Sequence, residues 1–241
     1  MSLIVLPDLP SLSQAVADKF VLIARDAVAG NGRFLIALSG GGTPEGLFRL
    51  LAKSPYAEQL PWQQTYVFWS DERLVPPDDS GSNYRQAVKT LLQHVPIPFH
   101  QIYRAKGELS AQTAVSDYTQ QLQQFSIHQQ PPQFDLILLG MGSDGHTASL
   151  FPGPISEAEN SNLIIAVTAE YGGRPAQRIT FTPQLINNAR HIFFLVAGAN
   201  KQAALTAVRQ GAHTPQKWPA QRICPTNGSL TWFVDSSAVG N

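Results

Sequence analysis

Residues 134–153 read FDLILLGMGSDGHTASLFPG. The first six are mostly apolar, and glycines follow at once. A continuous apolar run of this length suits a strand buried on both faces, as in a parallel sheet. Similar runs occur at 33–38 (RFLIAL), 65–69 (TYVFW), 163–167 (LIIAV) and 191–196 (HIFFLV), and 230–234 (LTWFV) could form a final strand. Between them lie segments with helical spacing. Residues 11–29 place Leu12, Ala15, Val16, Phe20, Ile23 and Ala27 on one side, and 46–53, 84–92 and 110–125 read the same way. Strand–helix alternation predicts an α/β fold: a mostly parallel, Rossmann-like sheet with helices on both faces. The glutamine-rich stretch 120–133, closed by Pro131 and Pro132, reads as a frayed helix end and a surface loop. Residues 211–225, with three prolines, read as irregular.

The chain has 241 residues, which suits one large domain over 1–241. Only 14% are charged, against an average near 25%, and Lys+Arg and Asp+Glu are both 17. A nucleic-acid binder would show a basic excess, so no nucleic-acid partner is expected. The single cysteine, Cys224, excludes an internal disulfide and a cysteine-based zinc site, and fits a reducing compartment. Residues 1–10 carry no basic segment, so no signal peptide is expected. No apolar stretch reaches membrane-spanning length. The expectation is a soluble cytoplasmic protein with no membrane partner and no obligate protein partner.

In open α/β sheets, ligands bind beyond the carboxyl ends of the strands. The residues just past the runs are Ser39-Gly40-Gly41-Gly42-Thr43-Pro44, Ser70-Asp71-Glu72-Arg73, Gly140 through His146, and Gly198-Ala199-Asn200-Lys201. The glycine triplet can bring backbone N–H groups close to an anion, with Thr43 capping a helix and Pro44 at its first position. Its plainer alternative is a tight strand–helix turn. It is no Walker loop, because no Gly-Lys-Ser/Thr follows. Residues 140–145 match G-x-G-x-x-G, but Pro152 and Pro154 leave no room for the long helix that dinucleotide binding requires.

His146, beside Asp144 in a glycine-rich loop, is the candidate general base. The other five histidines read as structural or surface residues. Arg73 and Lys201 are candidate anion binders, since arginine offers a planar fork and lysine a point charge. The alternative for Arg73 is an ion pair with Asp71 or Glu72. Asp71, Glu72 and Asp144 could hold a metal, but no histidine pair at ligand spacing accompanies them, so no metal is expected.

These stretches, with SDERLVP (70–76), SNYRQA (82–87), RITFTPQLINNA (178–189) and VAGANKQAAL (196–205), resemble the glucosamine-6-phosphate isomerase/6-phosphogluconolactonase family in motif and order. Within it the lactonase branch fits better. The deaminases carry a Glu five residues after the motif histidine, where this chain has Phe151, and Arg73 is of the lactonase type. The resemblance implies a sugar-phosphate lactone as substrate and no cofactor. It assigns the phosphate region to Gly40, Gly41, Gly42, Thr43, Arg73, Arg178 and Lys201. His146 would activate water, Asp144 would support it, and Asp71 and Asn83 would line or brace the site. Direct attack by water is preferred to a covalent route through Ser143 or Ser149, neither of which sits in a nucleophile elbow. Alternatives on the same scaffold are a deaminase/isomerase and a non-catalytic sugar-phosphate sensor.

Overall fold

The apolar runs become strands whose alternate side chains enter two different cores. The computed structural model describes residues 1–128, 130–170, 173 and 175–240. From the amino end these form β1 (Ser2–Leu6), α1 (Leu9–Asn31), β2 (Phe34–Leu38), α2 (Gly42–Leu51), α3 (Tyr56–Gln59), β3 (Thr65–Trp69), β4 (Asp71–Arg73), α4 (Asn83–Thr90) and α5 (Ala111–Gln123). Then come β5 (Leu136–Leu139), α6 (Glu157–Ser161), β6 (Ile164–Thr168), β7 (Gln177–Phe181), α7 (Pro183–Asn187), β8 (His191–Val196), α8 (Gln202–Gln210), β9 (Ser229–Asp235) and α9 (Ser236–Val239).

Leu35, Ala37, Ile137, Leu139, Ile192 and Phe194 point to one face of the main sheet, against α5, α7, α8 and α9. Phe34, Ile36, Leu38, Leu136, Leu138 and Phe193 point to the other, against α1 and α2. Burying a Leu or Phe side chain contributes roughly 1.5–3 kcal/mol. A period of two with both positions apolar therefore fixes these strands as the centre of the sheet. Helix α1 starts two residues before the expected segment, because Asp8 accepts a hydrogen bond from the Ser11 N–H at 2.8 Å. It stops at Gly32, whose φ of 72° few other residues adopt comfortably. No helix among the described residues is long and apolar enough to cross a membrane.

The main sheet has strand order β1-β9-β8-β5-β2-β3, and each of its pairings is parallel. After β2 the chain adds β3 on one side; β5 then crosses to the other. The order reverses between β2 and β5, so a crevice opens beyond their carboxyl ends. The glycine triplet leaves β2 there, and the loop carrying His146 leaves β5. Ser39 donates to Leu138 O at 2.7 Å and ties the two exits together.

A second, three-stranded sheet, β4-β7-β6, is antiparallel. It corrects one expectation: the run 163–167 is a strand, but not of the parallel sheet. Ile164 and Ile165 are buried, whereas Ala166 is exposed, as suits a sheet with one solvated face. Strand β3 passes into β4 through Ser70. The Ser70 N–H donates to Leu38 O at 2.8 Å in the main sheet, and Ser70 O accepts from the Phe181 N–H at 2.7 Å in the second. Its Oγ lies 2.8 Å from the Ser39 Oγ.

Three strands have no counterpart among the apolar runs. β1 is an edge strand with Leu3 and Val5 exposed; β4 and β7 are short and rich in polar residues. The stretch 211–225 contains a 3-10 turn, Pro219–Arg222. Helix α5 ends at Gln123, within the glutamine-rich segment, and Gln129 of that segment lies outside the described residues.

Candidate active site

Beyond the ends of β2 and β5 lies a cavity of ≈ 540 Å³, and Gly40, Gly41, Gly42, Thr43, Asp71, Arg73, Asn83, His146, Arg178 and Lys201 all line it. Six separate stretches of chain and both sheets thus deliver polar groups to one concave place. Asp144 does not line the cavity; it stands behind His146.

The His146 loop is built around that pair. Nδ1 of His146 lies 2.6 Å from Asp144 Oδ1. The carboxylate favours the proton on Nδ1, so that the ring's lone pair is on Nε2. Burial pushes the Asp144 carboxyl up, but its hydrogen bond with His146, the imidazole charge and backbone N–H bonds outweigh this and hold it below the usual range. Gly142 is glycine because a Cβ there would overlap both His146 Nδ1 and Asp144 Oδ1. Gly145 has φ 75°, and a side chain there would meet the Trp218 ring. The N–H groups of Gly142, Gly145 and His146 are consumed inside the loop by His146 O, Gly142 O and Asp144 Oδ1. None of the three is available to an oxyanion. The loop continues as a turn bridged between Thr147 and Leu150, and the next helix is α6. Gly142 therefore serves the dyad, and among the described residues no helix opens directly from this loop to receive a dinucleotide.

Phe151 explains the imidazole's orientation. Its ring stacks on His146 with centroids 4.8 Å apart and planes at 30°. On Phe151 also rests the guanidinium of Arg178, 5.1 Å from the ring centroid. A column of imidazole, phenyl and guanidinium results, with Arg178 only 2% exposed and its Nε donating to Pro175 O at 3.1 Å. Arg222 secures the column's base. It donates to Phe151 O and Gly153 O and pairs with Glu159 at 2.8 Å, both side chains being nearly buried.

Arg178 and Arg73 stand directly opposite each other in the antiparallel β4–β7 pair. Directly opposed like charges destabilise a sheet, so this pair suits a site that receives an anion. Arg73 donates to Gly81 O. Among the described residues it makes no ion pair with Asp71 or Glu72, which removes the surface-pair alternative. Lys201 ends the 3-10 turn Ala199–Lys201, which starts at Gly198 with φ 101°. The carboxylate of Asp235 holds that turn by accepting the Gly198 N–H at 3.0 and 3.1 Å.

Thr43 does not cap α2, contrary to expectation. The cap is Gly41 at φ 113°, so the helix starts earlier, and Gly42, Thr43 and Pro44 make its first turn. Among the described residues no backbone N–H bonds the Asp71 carboxylate. It accepts from Ser149 Oγ at 2.7 Å, which ties the His146 loop to β4. Its neighbour Glu72 does that work, taking the N–H groups of Arg73, Asn83 and Tyr84 at 2.7–2.8 Å. Burial pushes the Glu72 carboxyl above its ordinary value despite those three donors. Among the described residues no cluster of three or more His, Cys, Asp or Glu forms that could hold a metal ion. Sequence reasoning missed Asp235, weighed Ser149 only as a covalent nucleophile, and considered Glu72 only as an ion-pair partner or metal ligand. Asp235 comes directly after an apolar run, as the glycine triplet does, and could have been found by that rule.

A family model described as glucosamine-6-phosphate isomerases/6-phosphogluconolactonase matches residues 7–232. A 6-phosphogluconolactonase of Synechocystis is 43% identical over 220 residues, 89% of this chain and 87% of that protein. One from Haemophilus influenzae is 36% identical over 239 residues, 99% of both. The solved structure of 6-phosphogluconolactonase from Trypanosoma brucei superposes with a TM-score of 0.84 at 27% identity, covering 98% of this chain and 97% of that one. With a family model spanning nearly the whole chain and full-length relatives well above 30% identity, this chain belongs to the glucosamine-6-phosphate isomerase/6-phosphogluconolactonase family.

Proposed function

We propose that the chain hydrolyses 6-phospho-D-glucono-1,5-lactone to 6-phosphogluconate, the second step of the oxidative pentose phosphate pathway. The observation that carries this reading is the His146–Asp144 dyad facing the same cavity as the Arg73–Arg178 cross-strand pair. A base at one end and an anion seat at the other fit a substrate with a reactive carbonyl and a distant phosphate. Exposed Cys224 is a free thiol, which suits a reducing compartment such as the cytoplasm.

The phosphate takes no part in bond making. Its contacts with Arg73, Arg178, Lys201 and the start of α2 fix the lactone, so remote binding energy goes into orientation. Nε2 of His146 accepts a proton from water as its oxygen attacks the carbonyl carbon. Asp144 holds the imidazole in the correct tautomer and stabilises the imidazolium that forms. The tetrahedral intermediate then collapses with cleavage of the ring C–O bond. The imidazolium returns its proton to the departing ring oxygen, which becomes the hydroxyl of the open-chain acid. A positioned base contributes about 10²–10⁴-fold. Phe151 occupies the place from which a carboxylate would reach the imidazole in the deaminase-type motif, and its apolar ring favours hydrolysis over amino-sugar isomerisation.

The test is hydrolysis of freshly prepared lactone, read above the spontaneous rate in buffer, for wild type beside His146→Ala. Acceleration by the wild type and a fall in kcat of about 10²–10⁴ in the variant are expected. A variant with full turnover would remove His146 from the mechanism. A wild type without acceleration, but releasing ammonia from glucosamine 6-phosphate, would replace the lactonase reading with the deaminase.

A further inference from the structure

Helix α2 begins without a capping side chain, because Gly41 has none to offer. Its N–H nevertheless has an acceptor, Gln86 Oε1 at 2.9 Å, and the same amide returns Nε2 to Gly41 O at 2.9 Å. Gln86 thus engages both backbone polar groups of one residue, as a neighbouring strand would. It lies on α4, one turn after Asn83. The Asn83 amide rests against Gly40, where a Cβ would overlap Asn83 Oδ1, and its Nδ2 donates to Asp71 O at 2.9 Å. Glu72 of β4 in turn grips the first N–H groups of α4. One helix therefore joins the glycine loop to the strand that bears Arg73.

The first four N–H positions of a helix have no intrahelical acceptor. At α2, Gln86 takes the one from Gly41, and Pro44 has none to give. Gly42 and Thr43 remain, and above Gly42 a Cβ would meet nothing within 4 Å. We propose that Gln86 is a positioning residue for the substrate's phosphate: it holds Gly41 so that the N–H groups of Gly42 and Thr43, and not that of Gly41, face the anion. This rests on the phosphate seat proposed above.

The experiment compares wild type with Gln86→Met, similar in size and without the amide. Inorganic phosphate binding is measured by calorimetry, and lactone turnover is measured alongside. Losing two hydrogen bonds that order the loop should raise the phosphate Kd and the KM together by about tenfold, with kcat within about threefold. Unchanged Kd and KM would overturn the proposal. So would a fall in kcat at constant Kd, or a wild type that binds no phosphate. Phosphate binding needs no turnover, so a wild type that binds phosphate but leaves the lactone intact would sink the functional reading and still let the two Kd values decide on Gln86. If Gln86→Met does not fold, Gln86→Glu keeps an acceptor for the Gly41 N–H and loses the donor. A raised Kd is again expected, and an unchanged one overturns the proposal.

Discussion

Two glycine-rich loops leave the sheet on either side of the strand-order reversal, and one glycine in each, Gly42 and Gly142, has the opposite reason. At the exit of β2, a side chain on Gly42 would enter open space beside the cavity. At the exit of β5, a side chain on Gly142 would enter space already filled by His146 and Asp144. Gly42 leaves space open beside the cavity, whereas Gly142 leaves room for the protein's own dyad; Gly40, like Gly142, makes way for a side chain, that of Asn83. Glycine spacing alone would have treated both as phosphate cradles. What separates them is whether the missing Cβ would have met solvent or side chain.

The sharpest way to break this contrast is Gly142→Ala. The methyl would push the imidazole off Asp144, so kcat should fall about 10²-fold or more, approaching loss of the base itself. Overpacking should also cost roughly 1–3 kcal/mol of stability. Steady-state kinetics with a thermal melt would check both, and an unaffected kcat would mean that the dyad tolerates displacement.

Gly42→Ala should behave in the reverse sense. Alanine is the better helix former by about 0.5–1 kcal/mol, and nothing blocks its methyl, so Tm should rise slightly. The same methyl would sit where the anion approaches, so KM should rise about tenfold while kcat changes little, the signature of lost uniform binding. A raised Tm with unchanged KM would place the phosphate elsewhere.

The smallest effect concerns acid. Asp144 is held below the ordinary carboxylate range in the folded protein. Its contribution to stability is therefore present above the unfolded value and is lost as pH falls through the folded one. The Tm difference between wild type and Asp144→Asn should be greatest near neutrality and shrink below about pH 4. With the carboxylate 32% exposed the difference will be small, and one that grew on acidification would contradict the assigned direction.

Much of the fold and the site was legible because apolar runs, and the residues at their carboxyl ends, obey simple rules. β2, β3, β5, β8 and β9 announce themselves by composition, and the residues beyond the ends of most of them converge as an α/β sheet requires. β4 and β7 escaped notice because the residues that make them useful, Asp71, Arg73 and Arg178, also spoil the apolar signature of a strand. The pairing of Arg73 with Arg178 is a matter of register across the second sheet, and no local pattern encodes it. The same holds for Gln86, an ordinary helical glutamine until Gly41 is seen beside it, and for Phe151, whose contact with Arg178 needs β7 brought back over the His146 loop.

Ser70 stands where one strand changes sheets. Its N–H is committed to the first sheet, its carbonyl to the second, and its hydroxyl to the Ser39 hydroxyl beside the glycine loop. A joint with every polar group engaged is a weld, and Ser70 is no free pivot between the two sheets. On the function proposed above, the anion seat and the imidazole would then be held at a set separation, and the cavity would work as a gauge of the span between phosphate and carbonyl.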